Sequence, residues 1–178
     1  MTARFPRGDA SGVAKAIFSL QSTSFKQQLP LTRLAVFELL EFLLDRYSAT
    51  ITRDMGPQPF AEGLVSMAEF EKDPRCLKIL FEMYQEISRN WSLSSESLSA
   101  VWGSFHRYFP ITLKTTDSSV PTREDLQDLL VQCFASNDHY ASHAFPYLLS
   151  ALDTTQDDLT ASVKVSFLQI YHRLTKHS

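Results

Sequence analysis

Apolar residues return every three or four positions along most of this chain. Between those runs stand short clusters of proline, glycine, aspartate, serine and threonine, a pattern that predicts helices joined by tight turns. Residues 1–9 hold Pro6 and Gly8 without an apolar period and read as a frayed end; Val13, Ala16, Ile17 and Leu20 then predict a short helix. Pro30 suits the first turn of a longer helix, where its missing N–H would have had no partner. In that helix Leu34, Phe37, Leu40, Leu44, Tyr47 and Ile51 form one face, widened by Val36, Leu39 and Leu43, while Glu38, Glu41 and Asp45 make an acidic ridge opposite. An apolar face this wide needs neighbours on two sides. Gly56 and Pro57 end the helix, and the next is expected from about Pro59 to Phe70, with Phe60, Leu64 and Met67 inward.

The run Glu71-Lys72-Asp73-Pro74-Arg75 reads as a tight polar turn in which Asp73 caps a new helix and Pro74 takes its first position. That helix buries Leu77, Leu80, Phe81, Tyr84 and Ile87. Ser94 caps another, whose Leu98, Val101, Trp102, Phe105 and Phe109 recur at three and four. From 110 to 121 the period is lost, giving the longest loop. Thr122 and Asp125 resemble a capping box with aspartate in the usual glutamate position, ahead of Leu126, Leu129, Leu130, Cys133 and Phe134. Two last helices are expected, about Asp138 to Leu152 and about Asp157 to Thr175, joined by a turn at Asp153, Thr154 and Thr155. The first would bury Ala144, Phe145, Leu148 and Leu152 and bend at Pro146; the second would bury Val163, Phe167, Ile170, Tyr171 and Leu174.

Seven to eight helices with short turns predict an all-α fold. Successive hairpins with two-sided apolar faces favour stacked repeats, a HEAT-like α-solenoid across residues 1–178, over a closed bundle, because one pair cannot bury its own surface. Asp73 and Asp153 hint at a repeat, each placed at a turn and followed within the next helix by a basic residue, Arg75 and Lys164.

Several of these runs together resemble a known family. Glu71-Lys72-Asp73-Pro74-Arg75, Tyr108-Phe109-Pro110-Ile111-Thr112, Thr122 with Asp125-Leu126, and Phe145-Pro146 with Leu148-Leu149 and Leu152-Asp153 are similar in order and spacing to the amino-terminal region of the Mms-nineteen family. The similarity covers about Leu31 to Leu174, and its most specific part is the Phe-Pro-Ile-Thr element. Two places depart from the family pattern. Phe70 stands where a glycine is usual, and the loop after Thr112, Leu113 to Val120, is short where the family's is long and proline-rich. The resemblance implies a HEAT-repeat targeting adaptor of cytosolic iron–sulfur assembly, linked to nucleotide excision repair and transcription. Its partners would be the other targeting subunits and client apoproteins, in cytoplasm and nucleus. Family members are far longer, so the chain is expected to be a segment of a larger repeat protein.

Composition narrows the chemistry. A hydrophobic fraction of 44% and a net charge of −3 suit a folded chain and give no basic excess for phosphates, so direct nucleic-acid binding is not expected. No run is long and apolar enough for a membrane span, and the start has no apolar signal core. Two distant cysteines, Cys76 and Cys133, cannot supply the roughly four thiolates of an iron–sulfur cluster, and their spacing fits a reducing compartment. Cys76 beside Arg75 in a first turn could favour thiolate, but helix-borne cysteines are mostly small buried hydrophobes.

His139 and His143, at i and i+4 with Asp138 nearby, are a conceivable metal pair, although a surface or groove-lining pair is the plainer reading. His106 is expected to pack or hydrogen-bond beside its helix's aromatic face, and Trp91, Trp102 and Tyr108 to join the core. No nucleophile elbow, phosphate loop or dinucleotide fingerprint occurs, and the Asn90-Trp91-Ser92 triplet is set aside as chance. The expectation is therefore a non-enzymatic adaptor without catalytic, metal or cofactor residues. Glu38, Glu41 and Asp45 are the candidate protein-binding positions, and a generic HEAT scaffold or transport protein with other cargo is the alternative.

Overall fold

The computed structural model describes residues 9–20, 25–112, 120–154, 164–165 and 168–172, and among these there is no strand. Among the described residues the main helices are α1 (Ala10–Phe18), α2 (Pro30–Asp54), α3 (Pro57–Met67), α4 (Pro74–Asn90), α5 (Ser95–Phe105), α6 (Arg123–Phe134) and α7 (Ala141–Thr154). Short 3₁₀ turns at His106–Tyr108 and Asp138–Tyr140 follow α5 and precede α7. The fold is all-α and solenoid-like.

The starts of the helices follow the local chemistry. The Asp73 carboxylate accepts from Arg75 N at 3.0 Å, Ser94 Oγ from Ser97 N at 3.1 Å, and Thr122 Oγ1 from Asp125 N at 3.1 Å. Asp125 returns a bond to Thr122 N at 2.9 Å, so the capping box closes with aspartate in the glutamate position. Pro30, Pro57 and Pro74 each sit in a first turn.

These helices fall into two rows. In one, α2 packs on α4 and α4 on α6; in the other, α1 packs on α3, α3 on α5, and α5 on the turn at Asp138–Tyr140 that leads into α7. Contacts of α2 with α3 and of α4 with α5 tie the rows together as stacked hairpins. A continuous core lies between them, from Ala10 and Ala14 through Phe37, Leu64, Phe81 and Val101 to Phe134, Leu148 and Ile170. Buried hydroxyls inside it are paired: Tyr84 with Ser104 at 2.6 Å and Ser88 with Tyr140 at 2.8 Å. Trp91 packs edge-on against Phe60 and donates its indole N–H to Ser48 Oγ at 2.9 Å. Close approach of α1 and α3 depends on Gly63, where a Cβ would stand 2.5 Å from the Phe18 ring.

Several expectations are corrected. The helix after Gly56 starts at Pro57 and ends at Met67, because Gly56 at φ 91° turns the chain directly into it and Phe70, at φ 63°, is already in the left-handed turn beyond it. In α1 the inward face is Ala10, Ala14 and Ile17; Leu20 lies past the helix end, exposed, and Ala16 is exposed too. A break in helical backbone falls at Tyr47 within α2, and α7 continues as helix through Pro146. One turn on from that break, the Thr52 hydroxyl donates to Ser48 O at 3.0 Å, a back-bond of the kind that bends helices.

Asp153 is helical rather than in a turn, so its likeness to Asp73 does not hold. Ile170 is buried as expected, whereas Tyr171 is half exposed, its ring 5.8 Å from that of Phe145 in an edge-on arrangement. The expected positions of Val163, Phe167 and Leu174, and most of the 110–121 loop, lie outside the described residues; Phe109 and Ile111 at its start are buried.

Candidate functional site

The polar turn between α3 and α4 is built around a buried charge. Glu71 is 5% exposed. Its carboxylate takes a two-pronged bond from Arg33 of α2, Nε to Oε2 at 2.7 Å and Nη2 to Oε1 at 2.9 Å, and accepts from the backbone N–H groups of Lys72 and Asp73. Arg33 also reaches Gln28 O, and the Tyr108 hydroxyl donates to Glu71 O at 2.9 Å. Burial works to raise the Glu71 pKa, but the Arg33 and backbone bonds and the Arg33 charge together hold it below the usual carboxylate value. Both carboxylate oxygens are engaged, which makes this a clamp between α2, the turn and the 106–108 segment rather than a surface for a ligand. Phe70, next to it, lies 64% exposed in the left-handed region, with Lys26 Nζ 4.8 Å and the Arg107 guanidinium 5.8 Å from its ring centre.

Along α4 itself the carboxylates are arranged differently. A groove of roughly 760 Å³ lies over α4, walled by α2 and α6. Its floor is apolar, made by Leu34, Ile79 and Leu129, and its walls carry Glu38 and Glu41 from α2, Glu82 from α4, and Asp125 and Asp128 from α6. A shallower trough continues it between α2 and α4 past Asp45 and Glu86. The lining positions recur at three and four on each helix, so the groove runs along the helix axes; from Arg75 to Glu86 that is about 16 Å.

The two cations at its rim are partly committed. Arg75 bonds both oxygens of Asp73, at 3.0 and 2.7 Å, and Lys78 is 3.8 Å from Glu82. Among the described residues, Glu38, Glu41, Glu86 and Asp128 make no ion pair. Partial burial pushes the Glu41 carboxyl up, the charges of Glu82, Glu38 and Asp45 push it further, and Lys78 only partly opposes them.

The structure thus brings Glu38, Glu41 and Asp45 onto one wall of a larger acidic groove. Glu41 is half-buried there rather than standing on a free ridge. Sequence reading missed Glu82, Glu86, Asp125 and Asp128 because they lie on two other helices. It also assigned Leu34 and Leu129 to the core, whereas both remain partly exposed as floor. The only available signal was the polar spacing of Lys78, Glu82 and Glu86 on α4.

The remaining candidates fall into the packing. Cys76 and Cys133 are free and buried; burial, with Glu71 and Asp73 nearby, pushes the Cys76 thiol up to about 12, opposite to the shift a helix N-terminus would give, and burial also pushes the Cys133 thiol up. The His139 and His143 rings stand 5.4 Å apart, with Ser99 Oγ 3.3 Å from His139 Nε2 and the His143 ring against Trp102. Among the described residues no three His, Cys, Asp or Glu side chains gather as a metal-binding group. His106 stacks flat on Trp102 at 5.3 Å with Nδ1 2.9 Å from Trp102 O. Trp91 and Trp102 are buried and Tyr108 is half-buried. No helix among the described residues is long and apolar enough to cross a membrane.

Two rows of stacked helical pairs, with an elongated groove along one of them, define a helical-repeat protein of the solenoid type. The family described as the Dos2-interacting transcription regulator of RNA-Pol-II, the amino-terminal region of MMS19, matches residues 1–176, and the chain belongs to it. The DNA repair/transcription protein mms19 of Schizosaccharomyces pombe is 29% identical over 94% of this chain. The MMS19 nucleotide excision repair protein homolog of Mus musculus is 31% identical over 86% of it, and the MMS19 nucleotide excision repair protein of Drosophila melanogaster 23% identical over 94%. The chain spans 16%, 15% and 17% of the lengths of these relatives. No solved structure matches it.

Proposed function

We propose that this chain is a protein-binding segment of a non-enzymatic adaptor that brings cytosolic iron–sulfur assembly factors to apoproteins of DNA repair, replication and transcription. Membership of the MMS19 family across residues 1–176 carries the reading, and relatives named for DNA repair and transcription support it. The mechanism is geometric. Rigid helix pairs present contact patches at fixed spacing, so a client and a cluster donor held on one solenoid meet at raised effective concentration without bond-making by the scaffold itself. Glu38, Glu41 and Asp45 are the protein-facing residues in this proposal, on the α2–α4–α6 row. The partners are the targeting subunits and client apoproteins in cytoplasm and nucleus. An acidic groove and a net charge of −3 accord with binding protein rather than the nucleic acid those clients act on.

The test is affinity capture from cell extract with this chain as bait beside a full-length relative, read by mass spectrometry. Recovery of iron–sulfur assembly factors or cluster-bearing DNA enzymes on the chain supports the adaptor reading. Recovery on the full-length relative alone assigns this segment a spacer role, and unrelated cargo on both favours a general helical-repeat scaffold.

A further inference from the structure

The groove over α4 has the two features that recognise an amphipathic segment: a strip of aliphatic side chains at the bottom and charge of one sign along both walls. Leu34, Ile79 and Leu129 come from three successive helices of one row, so the strip has the width of a seat between α2 and α6 with α4 as its base. From Arg75 to Glu82 it is about 10 Å long, about two helical turns of a ligand, and the adjoining trough to Glu86 adds about one more. Glu38 and Glu41 face Asp125 and Asp128 across it, and Glu86 and Asp45 extend the same charge past its end.

The carboxylates of the groove outnumber the two cations, Arg75 and Lys78, that share it. Arg75 is turned to Asp73, Lys78 stands at 3.8 Å from Glu82, and Glu38, Glu41, Glu86 and Asp128 have no ion pair among the described residues. Partial burial raises the Glu41 carboxyl in the free protein, the charges of Glu82, Glu38 and Asp45 raise it further, and a cationic ligand would relieve that repulsion. An acidic or neutral apolar segment could fill the floor but would leave these charges desolvated against it.

We infer that this groove seats a basic amphipathic helix of a partner protein, lying along α4 with aliphatic side chains at i and i+4 on Leu34, Ile79 and Leu129 and with lysine or arginine on both flanks toward Glu38, Glu41, Asp125 and Asp128. The inference rests on the reading of the α2–α4–α6 row as the protein-binding face. Opposite charge on the two surfaces speeds encounter and makes affinity depend on salt, while the aliphatic contacts fix register.

The probe is a fluorescein-labelled 18-residue peptide with leucines at i and i+4 flanked by lysine and arginine, titrated with the 178-residue chain. A second peptide keeps the leucines and replaces every cation by glutamate. Expected are saturable binding of the basic peptide, at least tenfold weaker binding between 50 and 300 mM salt, and at least tenfold loss in the chain carrying Glu38→Gln, Glu41→Gln and Asp128→Asn. Glu62→Gln with Glu96→Gln, outside the groove, should leave affinity unchanged. Because neutralised groove residues remove repulsion, the triple variant should melt no lower than the parent. A charge-swapped chain, Glu38→Lys with Glu41→Lys, should prefer the glutamate peptide.

Equal binding of both peptides, failure of the basic peptide to bind, or full affinity in the triple variant overturns the inference. If the triple variant still captures the same iron–sulfur proteins as the parent chain, the groove assignment falls while the adaptor reading stands; if the basic peptide binds and no such proteins are captured, the reverse holds.

Discussion

Two acidic regions, one at the turn before α4 and one in the groove along it, place glutamates in partly buried surroundings and treat them in opposite ways. At the α3–α4 turn, Glu71 is nearly inaccessible yet held below its ordinary pKa, because a planar guanidinium and two backbone N–H groups fill its oxygens. In the groove, Glu41 is more exposed yet pushed above its ordinary pKa, because partial burial is joined there by neighbours of its own sign and Lys78 only partly opposes them. Burial pushes both carboxyls up; the donors around Glu71 overturn that rise, and Glu41 has none to do so. A carboxylate with all its partners inside the fold belongs to the fold, and one whose partners are missing is left with binding capacity.

Breaking the first region should have the largest effect. Glu71→Ala strands Arg33 and frees the turn, and Arg33→Ala strands a buried carboxylate; either should lower stability by about 3–5 kcal/mol in urea unfolding at neutral pH. The same clamp predicts a pH dependence. The Glu71 contribution is complete above the unfolded value of 4.5 and drains away as pH falls through the lower folded value, so the parent chain should lose stability into acid more steeply than Glu71→Ala.

Smaller changes at this turn sharpen the picture. Asp73→Ala removes the cap of α4 and should cost about 1 kcal/mol in the same assay. Phe70→Gly should instead raise stability by about 0.5–1 kcal/mol, since the left-handed backbone at φ 63° strains a phenylalanine and its ring is largely exposed.

The smallest effect is expected in the groove. Glu41→Gln should stabilise by no more than about 0.5 kcal/mol. That gain should vanish below pH 4.5, where the carboxyl is protonated in both states, and open as pH rises through the raised folded value. A large loss on this substitution would mean that Glu41 has a structural partner after all, and the contrast with Glu71 would collapse.

The contrast also marks the limit of reading from sequence. The capping signals at Asp73, Ser94 and Thr122 were legible because a cap is made within three residues, and the inward faces of α4 and α5 because a helix repeats every 3.6. The resemblance of the Glu71 and Phe109 segments identified the family. Phe70 stands at a positive φ, where glycine would be the least strained residue. What escaped was everything that depends on which helices become neighbours. Glu71 read as part of an exposed polar turn until Arg33, 38 positions away, was brought onto it. Glu38, Glu41 and Asp45 read as a solvated ridge until α4 and α6 added their own acids and turned the ridge into a wall.

By itself, then, the sequence determined the helices, most of their starts, the all-α class and the family, since those rest on local periodicity, local hydrogen bonds and matched residues. Only the tertiary structure decided that one glutamate would be clamped and another left without a counter-charge. A charge is valued by what lies within a few ångströms of it, and in a stacked-helix fold those neighbours come from helices one or two elements away along the chain.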